Sequence, residues 1–500
     1  MDRFPQHPPE DDSEGEGDSS GGDEADDEAE DETDDKAALP VPLFGGSNDW
    51  RVQRQHASLL INAINQGNVA RVARLLKAGV NPNHSLDVTP VFSAYRARHH
   101  DIVRLLLQAG ARPDDTNQQD GTNILSVACE NDDVSILPLL FEHGSDPNHP
   151  VMGSRPLVIA ADKGNFNTVL FLLDHGANIN ITDNTNLTAL HAACYHGHVD
   201  VVDLLLSRHA NPNVISENGT ALTTACQKEH IDVIDRLLAI DVDLNLPDRD
   251  GLTALMFACK KSNFDIIDRL LVHGANVNLA DPRGWTALMY ASQEGSSDIT
   301  RRYSALMQWD LHDPNAPDVP IKKNIDVIER LLTLGANVNA FDSNGTTALM
   351  IACKNKLFDV AEYLVRSGAF VNVRSGSSTP LLLSFQRGDW KTVDLLLSND
   401  ADFEPHIKDR NLLIACEGSS VDMARVLLQH GANPNVTGHH GVTPLMTAAR
   451  NEKHALVSLL LDHGADRNLC DASGRKAVHL SRDPLIVSLL SEPDQHPSAS

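Results

Sequence analysis

Thr188 to Asn213 reads TALHAACYHGHVDVVDLLLSRHANPN. The same grammar returns at Thr253–Asn278 as TALMFACKKSNFDIIDRLLVHGANVN and at Thr443–Asn468 as TPLMTAARNEKHALVSLLLDHGADRN. Each copy runs Thr-Ala/Pro-Leu, a small-residue pair, a polar break, an apolar run, a Gly-Ala-Asn-like exit and a final Asn. Self-similarity at about 33 residues is the mark of a solenoid, in which one unit cannot bury its apolar face until the next unit stacks on it. Such an array offers long surfaces rather than a central cleft, so the repeat points to binding before any single residue is considered.

Within the copy at Thr188, the threonine hydroxyl can satisfy an orphan N–H of a first helical turn. Elsewhere the next residue is Pro, favoured at the first helical position. Leu190, Ala193 and Cys194 then follow at i, i+3 and i+4 and make one apolar face. His196–His198 break this helix, and Val201, Val202, Leu204, Leu205 and Leu206 build a second. In most units the second helix stops at a glycine (Gly79, Gly110, Gly144, Gly176, Gly274, Gly335, Gly368, Gly431, Gly464), the residue that enters positive φ most cheaply. Glycine is replaced at His209, Asp241 and Asp400, where looser joints are expected. Helices of about ten residues do not stand alone in water, so stability must come from stacking. Anchored on the Leu-like position, the units fall at Leu60, Val91, Leu125, Leu157, Leu190, Leu222, Leu255, Leu288, Leu349, Leu381, Leu412, Leu445 and Val478: thirteen in all, spaced 31 to 34 residues apart except for one interval of 61.

The words TALH (Thr188 to His191), TPL (Thr379 to Leu381 and Thr443 to Leu445) and GANVN (Gly274 to Asn278 and Gly335 to Asn339) resemble the ankyrin repeat family, and the resemblance extends from about His56 to Glu492. It implies an all-α solenoid of helix-turn-helix units joined by hairpin loops. It also implies partners lying across the hairpin tips and the first helices, which line a concave face. Carried onto this sequence, the partner-binding positions are Leu187, Tyr195, Leu252, Phe257, Lys260, Trp285, Tyr290, Ile351 and Lys354. Of these, Leu252, Phe257, Trp285, Tyr290 and Ile351 are expected to form an exposed apolar and aromatic strip, the kind of surface that supplies binding hot spots. Arg96, Lys163, Lys228, Lys260, Lys261, Lys354, Lys356, Arg387 and Arg450 sit near the ends of the first helices and would form a broken basic rail. The last Asn of the GANxN word (Asn180, Asn278, Asn339) resembles the asparagine hydroxylated in some ankyrin proteins. The family histidine of the TPLH word stands at His191 and His479 and is Met256, Met289, Met350, Leu382 or Met446 elsewhere, where apolar packing is expected to replace its hydrogen bond.

The domain reading has three parts: residues 1–49 as a disordered acidic N-terminal arm, 50–492 as the array, and 493–500 as a short disordered tail. The long interval places an insertion at about 296–323, between the two helices of one unit, read as a short helix followed by a loop punctuated at Pro314, Pro317 and Pro320. Residues 1–36 hold 17 acidic against 2 basic side chains, a net of −15 out of the −28 of the whole chain. So charged and apolar-poor a segment cannot bury enough surface to fold. Ser13 and Ser20 stand before acidic residues and resemble acidophilic kinase sites. The acidic balance argues against nucleic acid as a partner. No run approaches the ~20 apolar residues of a membrane span, so no membrane insertion is expected.

Of the seven cysteines, Cys129, Cys194, Cys226, Cys259, Cys353 and Cys416 share one repeat position, too far apart for disulfides. Reduced thiols point to an intracellular protein, cytoplasmic or nuclear. No nucleotide-binding, zinc-protease or serine-hydrolase motif is present, and no CxxC pair, so neither catalysis, cofactor nor metal is expected. No SOCS-box-like or F-box-like segment is read after residue 480. The function expected is a non-catalytic scaffold or adaptor, monomeric, that grips a protein or peptide on the concave face. The alternative is a nuclear chaperone that uses the acidic arm for histones or other basic cargo.

Overall fold

The computed structural model describes residues 50–84, 88–117, 120–293 and 319–491. The acidic segment with Ser13 and Ser20, most of the insertion, and the last residues lie outside them. The described residues form thirteen helix pairs, from Trp50–Asn65 with Val69–Lys77 to the closing short 3₁₀ turn Ala477–His479 with Pro484–Ser491. We number them units 1 to 13. The class is all-α; the only pairing of extended backbone among the described residues is five isolated bridges in the hairpin loops, such as Ala280 with Thr286.

The caps form where the sequence places them. Thr89, Thr188, Thr220, Thr253, Thr347, Thr379 and Thr443 each accept the backbone N–H three residues on. The nine exit glycines all have positive φ, 82° to 90°. First helices stack on first helices and second on second. The seam is aliphatic: Leu190, Ala193, Cys194, Val201, Val202 and Leu205 of unit 5 are fully buried, and so are most of their counterparts along the array. Each Leu or Val at these positions contributes roughly 1.5–3 kcal/mol through burial.

A ladder of side chains clamps one hairpin to the next. Asn278 Oδ1 accepts the Asn337 N–H at 2.8 Å while its Nδ2 donates to the Gly335 carbonyl at 2.9 Å. Asn339 holds Phe370 and Gly368 in the same way, Asn148 holds Asn178 and Gly176, and Asn435 holds Asp466 and Gly464. Asn180 accepts the Asn211 N–H at 2.8 Å. A second fixed element was not read from the sequence. An aspartate five residues before the N-cap (Asp183, Asp248, Asp281, Asp342) closes each hairpin by accepting the backbone N–H four residues on.

The second helix of unit 8 runs Val319–Thr333, so Pro320 lies in its first turn rather than in the loop expected for it; proline is tolerated there because the first helical N–H groups have no partner to lose. The array departs from regularity most at units 10 and 11. The second helices Trp390–Ser398 and Val421–Gln429 still pack, but the first helices Pro380–Arg387 and Pro405–Glu417 barely touch, and the buried core divides there into two clusters bridged by Phe385, Trp390 and Phe403. The cause is local. Glu404 stands where the ladder asparagine belongs, no hairpin follows, and the chain enters a 13-residue helix directly. The rung is supplied from inside that helix, by Asp409 accepting the Asn433 N–H at 2.7 Å. Of the three units lacking the exit glycine, only the one with Asp400 shows this break; at His209 and Asp241 the core is continuous.

Candidate functional site

The expected apolar strip is not on the surface. Leu252, Phe257, Tyr290 and Ile351 are buried, with Phe257 at 8% and Tyr290 at 3% exposure, and Trp285 is half-buried. Phe257, Tyr290 and Ile351 are covered because the two residues after the anchor leucine lie in the seam between consecutive first helices; Leu252 and Trp285 instead sit in the hairpins closed by Asp248 and Asp281. Leu187 is also half-buried.

Tyr290 and Trp285 instead close a polar knot at the hairpin of unit 8. The Tyr290 hydroxyl donates to Asp281 Oδ2 at 3.0 Å and accepts from Arg283 Nη2 at 2.7 Å. Arg283 also binds Asp281 through Nε and Nη2, at 3.1 and 2.9 Å. Trp285 Nε1 donates across to Asp342 Oδ2 of unit 9 at 3.2 Å. Burial would raise the Asp281 carboxyl, but the Trp285 N–H, the Arg283 guanidinium and the Tyr290 hydroxyl outweigh it and hold it below the ordinary carboxylate range. Burial, with the Asp281 bond, pushes the Tyr290 hydroxyl up to about 12. Gly284 at φ +87° lets the unit 9 backbone approach: a Cβ there would sit 2.9 Å from the Asp342 Cα.

His191 is a structural histidine. Its Nε2 faces the Val214 and Gly219 carbonyls at 3.0 and 3.1 Å, which fixes the proton on Nε2 and leaves Nδ1 to accept from the Thr188 hydroxyl at 2.7 Å. Burial holds the imidazole below its ordinary range. The unfolded chain therefore binds the proton more readily, so this contribution to stability is complete above about pH 6.5 and is lost as pH falls towards the lower folded value. His191→Met, which copies units 7, 8, 9 and 12, is expected to flatten the acid side of the stability profile below about pH 6.5; urea melts of both chains from neutral pH downward would check it.

What remains on the first-helix side is mainly cationic, interrupted by the exposed Glu130 and Glu417. Lys228, Lys260, Lys261, Lys354, Lys356, Arg387 and Arg450 are exposed at the C-terminal ends of first helices, where no ion pair involves them among the described residues; Lys163 is tied to Asp162 at 3.3 Å. Tyr195 is 38% exposed and carries the Lys228 ammonium 3.9 Å over its ring. Of the nine binding positions read from the sequence, Tyr195, Lys260 and Lys354 are thus exposed. Cations at helix C-termini gain about 0.3–1 kcal/mol each from the helix dipole, which accounts for their placement and leaves their outward charge unused.

The asparagines at 180, 278 and 339 all spend their carboxamides on the hairpin ladder. The six repeat cysteines are buried and free, and burial pushes the Cys259, Cys353 and Cys416 thiols up to about 12, away from the reactive thiolate. Among the described residues no group of three or more His, Cys, Asp or Glu could hold a metal ion, and no helix is long and apolar enough to cross a membrane.

Comparison with known proteins agrees with this architecture. A family model of ankyrin repeats, taken three copies at a time, matches residues 112–183, 157–248, 222–302, 320–409 and 412–498, and a single ankyrin repeat model matches 87–118. The matches part at the insertion and again at the joint between units 10 and 11. A putative ankyrin repeat protein of Escherichia coli, YahD, is 30% identical over 169 residues, 32% of this chain and 84% of that protein. The B-cell lymphoma 3 protein homolog of mouse is 30% identical over 173 residues, 33% of this chain and 39% of its own length. The human ankyrin repeat and SOCS box protein 16 is 30% identical over 188 residues, 35% of this chain and 41% of its own. Against the two mammalian proteins, the match spans less than half of the relative.

Proposed function

Because the chain belongs to the ankyrin repeat family, whose members are in general non-catalytic protein-interaction modules, we propose that it is a binding scaffold or adaptor that takes a protein partner across its first-helix side. The observation that carries this reading is the row of exposed cations at Lys228, Lys260, Lys261, Lys354, Lys356 and Arg387, which make no ion pair among the described residues, beside the exposed Tyr195 on which Lys228 stacks. The surface chemistry is cationic with one aromatic contact, so the partner it suits presents an acidic face. The buried free thiols support an intracellular location, cytoplasmic or nuclear.

A second reading rests on a different observation, the net −15 of residues 1–36, which would hold a basic protein such as a histone. Quantitative affinity capture from native lysate distinguishes them, using the intact chain, the chain lacking residues 1–36, and Lys228→Glu/Lys260→Glu/Lys354→Glu. The scaffold reading expects the triple reversal to reduce its partners roughly tenfold or more and the deletion to spare them. Loss of basic proteins on deletion alone would replace it with the second reading.

A further inference from the structure

The joint between units 10 and 11 exposes large apolar side chains at two repeat positions that units 7 to 9 bury. The residue after the anchor leucine is fully or almost fully buried where a hairpin follows: His191 0%, Met256 1%, Met289 0%, Met350 1%. Leu382 holds the same position in unit 10 and is 40% exposed, because the hairpin that would cover it is missing. One residue further along, Ile414 is 47% exposed, where Phe257, Tyr290 and Ile351 are all below a tenth. Ile407 is exposed on the same helix, two turns before Ile414, and thus on the same face. Arg387 stands at the end of the first helix of unit 10 and Arg410 lies between the two isoleucines; both are exposed and neither has an ion-pair partner among the described residues. Glu417 and, at the helix start, Glu404 are the acidic side chains beside that face.

We propose that this gap is the docking site for an amphipathic segment of the protein partner, a segment carrying apolar anchors on one face and carboxylates beside them. The inference rests on the scaffold reading and names where on the array the partner's apolar contacts fall. Leu382, Ile407 and Ile414 supply apolar area that stacking leaves uncovered, and a helical segment meets such a face with anchors at i, i+3/i+4 and i+7. Arg387 and Arg410 set the sign of the flanking charge, and the cationic row leads along the first-helix side to Arg387. The chain's own acidic stretch matches the charge but not the anchors, because from Glu10 to Asp35 its only apolar side chains are Ala25 and Ala29.

The test uses fluorescence anisotropy of the full chain with a labelled synthetic peptide of about 18 residues, Leu at the anchor positions and Glu elsewhere. A scrambled peptide of the same composition and one with Lys for Glu serve as controls. Leu382→Ser/Ile414→Ser and Arg387→Glu/Arg410→Glu change exposed positions only, and circular dichroism checks that each folds. The expected result is preference for the acidic amphipathic peptide, weakened roughly tenfold or more by either pair and by no more than about twofold in the Lys228/Lys260/Lys354 reversal. Equal binding of the scrambled peptide, or undiminished binding by both joint variants, overturns the proposal. Binding that appears only after removal of residues 296–318 also overturns it, and assigns the gap to the chain's own insertion. If the joint variants keep probe binding while the lysine reversal still loses captured partners, this inference fails and the scaffold reading survives.

Discussion

Tyr290→Ala is expected to lose about 3–5 kcal/mol of folding stability, the range for truncating a large buried aromatic. Tyr290 is 3% exposed and its hydroxyl holds both Asp281 and Arg283, so truncation opens a cavity and leaves a buried carboxylate short of a donor. Tyr290→Phe, which keeps the ring and removes the hydroxyl, should cost about 1–2 kcal/mol. Urea unfolding of the three chains measures both. The order Ala well below Phe below wild type is the mark of a core residue. A Tyr290→Ala chain as stable as wild type, with weakened partner capture, would return this residue to the surface role that its aromatic character suggested.

Equilibrium unfolding should occur in two steps. In a solenoid, cooperativity is carried by nearest-neighbour interfaces, and it breaks where one interface is weak. The joint at Asp400–Glu404 is such a place, with the core of units 1–10 on one side and, apart from Val426 of unit 11, which packs with the first core, that of units 11–13 on the other. The smaller block buries less surface and should melt first. Leu456→Ala, at a fully buried site in the second core, should lower the first transition by about 2–5 kcal/mol and leave the other unmoved. Leu190→Ala in the first core should do the reverse. Urea melts followed by fluorescence and by hydrogen exchange of residues 405–491 would check this. One coincident transition, shifted as a whole by either variant, would mean that the second helices Trp390–Ser398 and Val421–Gln429 couple the blocks fully.

The units were legible because the anchor leucine, the N-cap threonine and the exit glycine are local features that recur at fixed offsets, and local chemistry determines them. Lys228, Lys260 and Lys354 were legible for the same reason. The strip was not, because its exposure depends on what the neighbouring unit places against it. At one sequence position Phe257, Tyr290 and Ile351 are covered while Ile414 is open, and composition alone does not separate them. The joint did carry a signal. Asp400 replaces glycine, Glu404 replaces asparagine, and no Thr-Pro-Leu word precedes Leu412. The missing glycine alone was a poor guide, since His209 adopts φ 63° and the stack continues past it. The loss of glycine, asparagine and hairpin together marks the break. The asparagines that resemble a modification site recur in most units, and that recurrence also reports the clamp they form.

The most direct measurement of the central claim is hydrogen–deuterium exchange of the intact chain, free and bound to its captured partner. The account predicts slowed exchange confined to the ends of first helices around Tyr195, Lys228, Lys260, Lys354 and Arg387, with the outer faces of the second helices unchanged. Protection restricted to the second helices, or to residues 1–49, would contradict it.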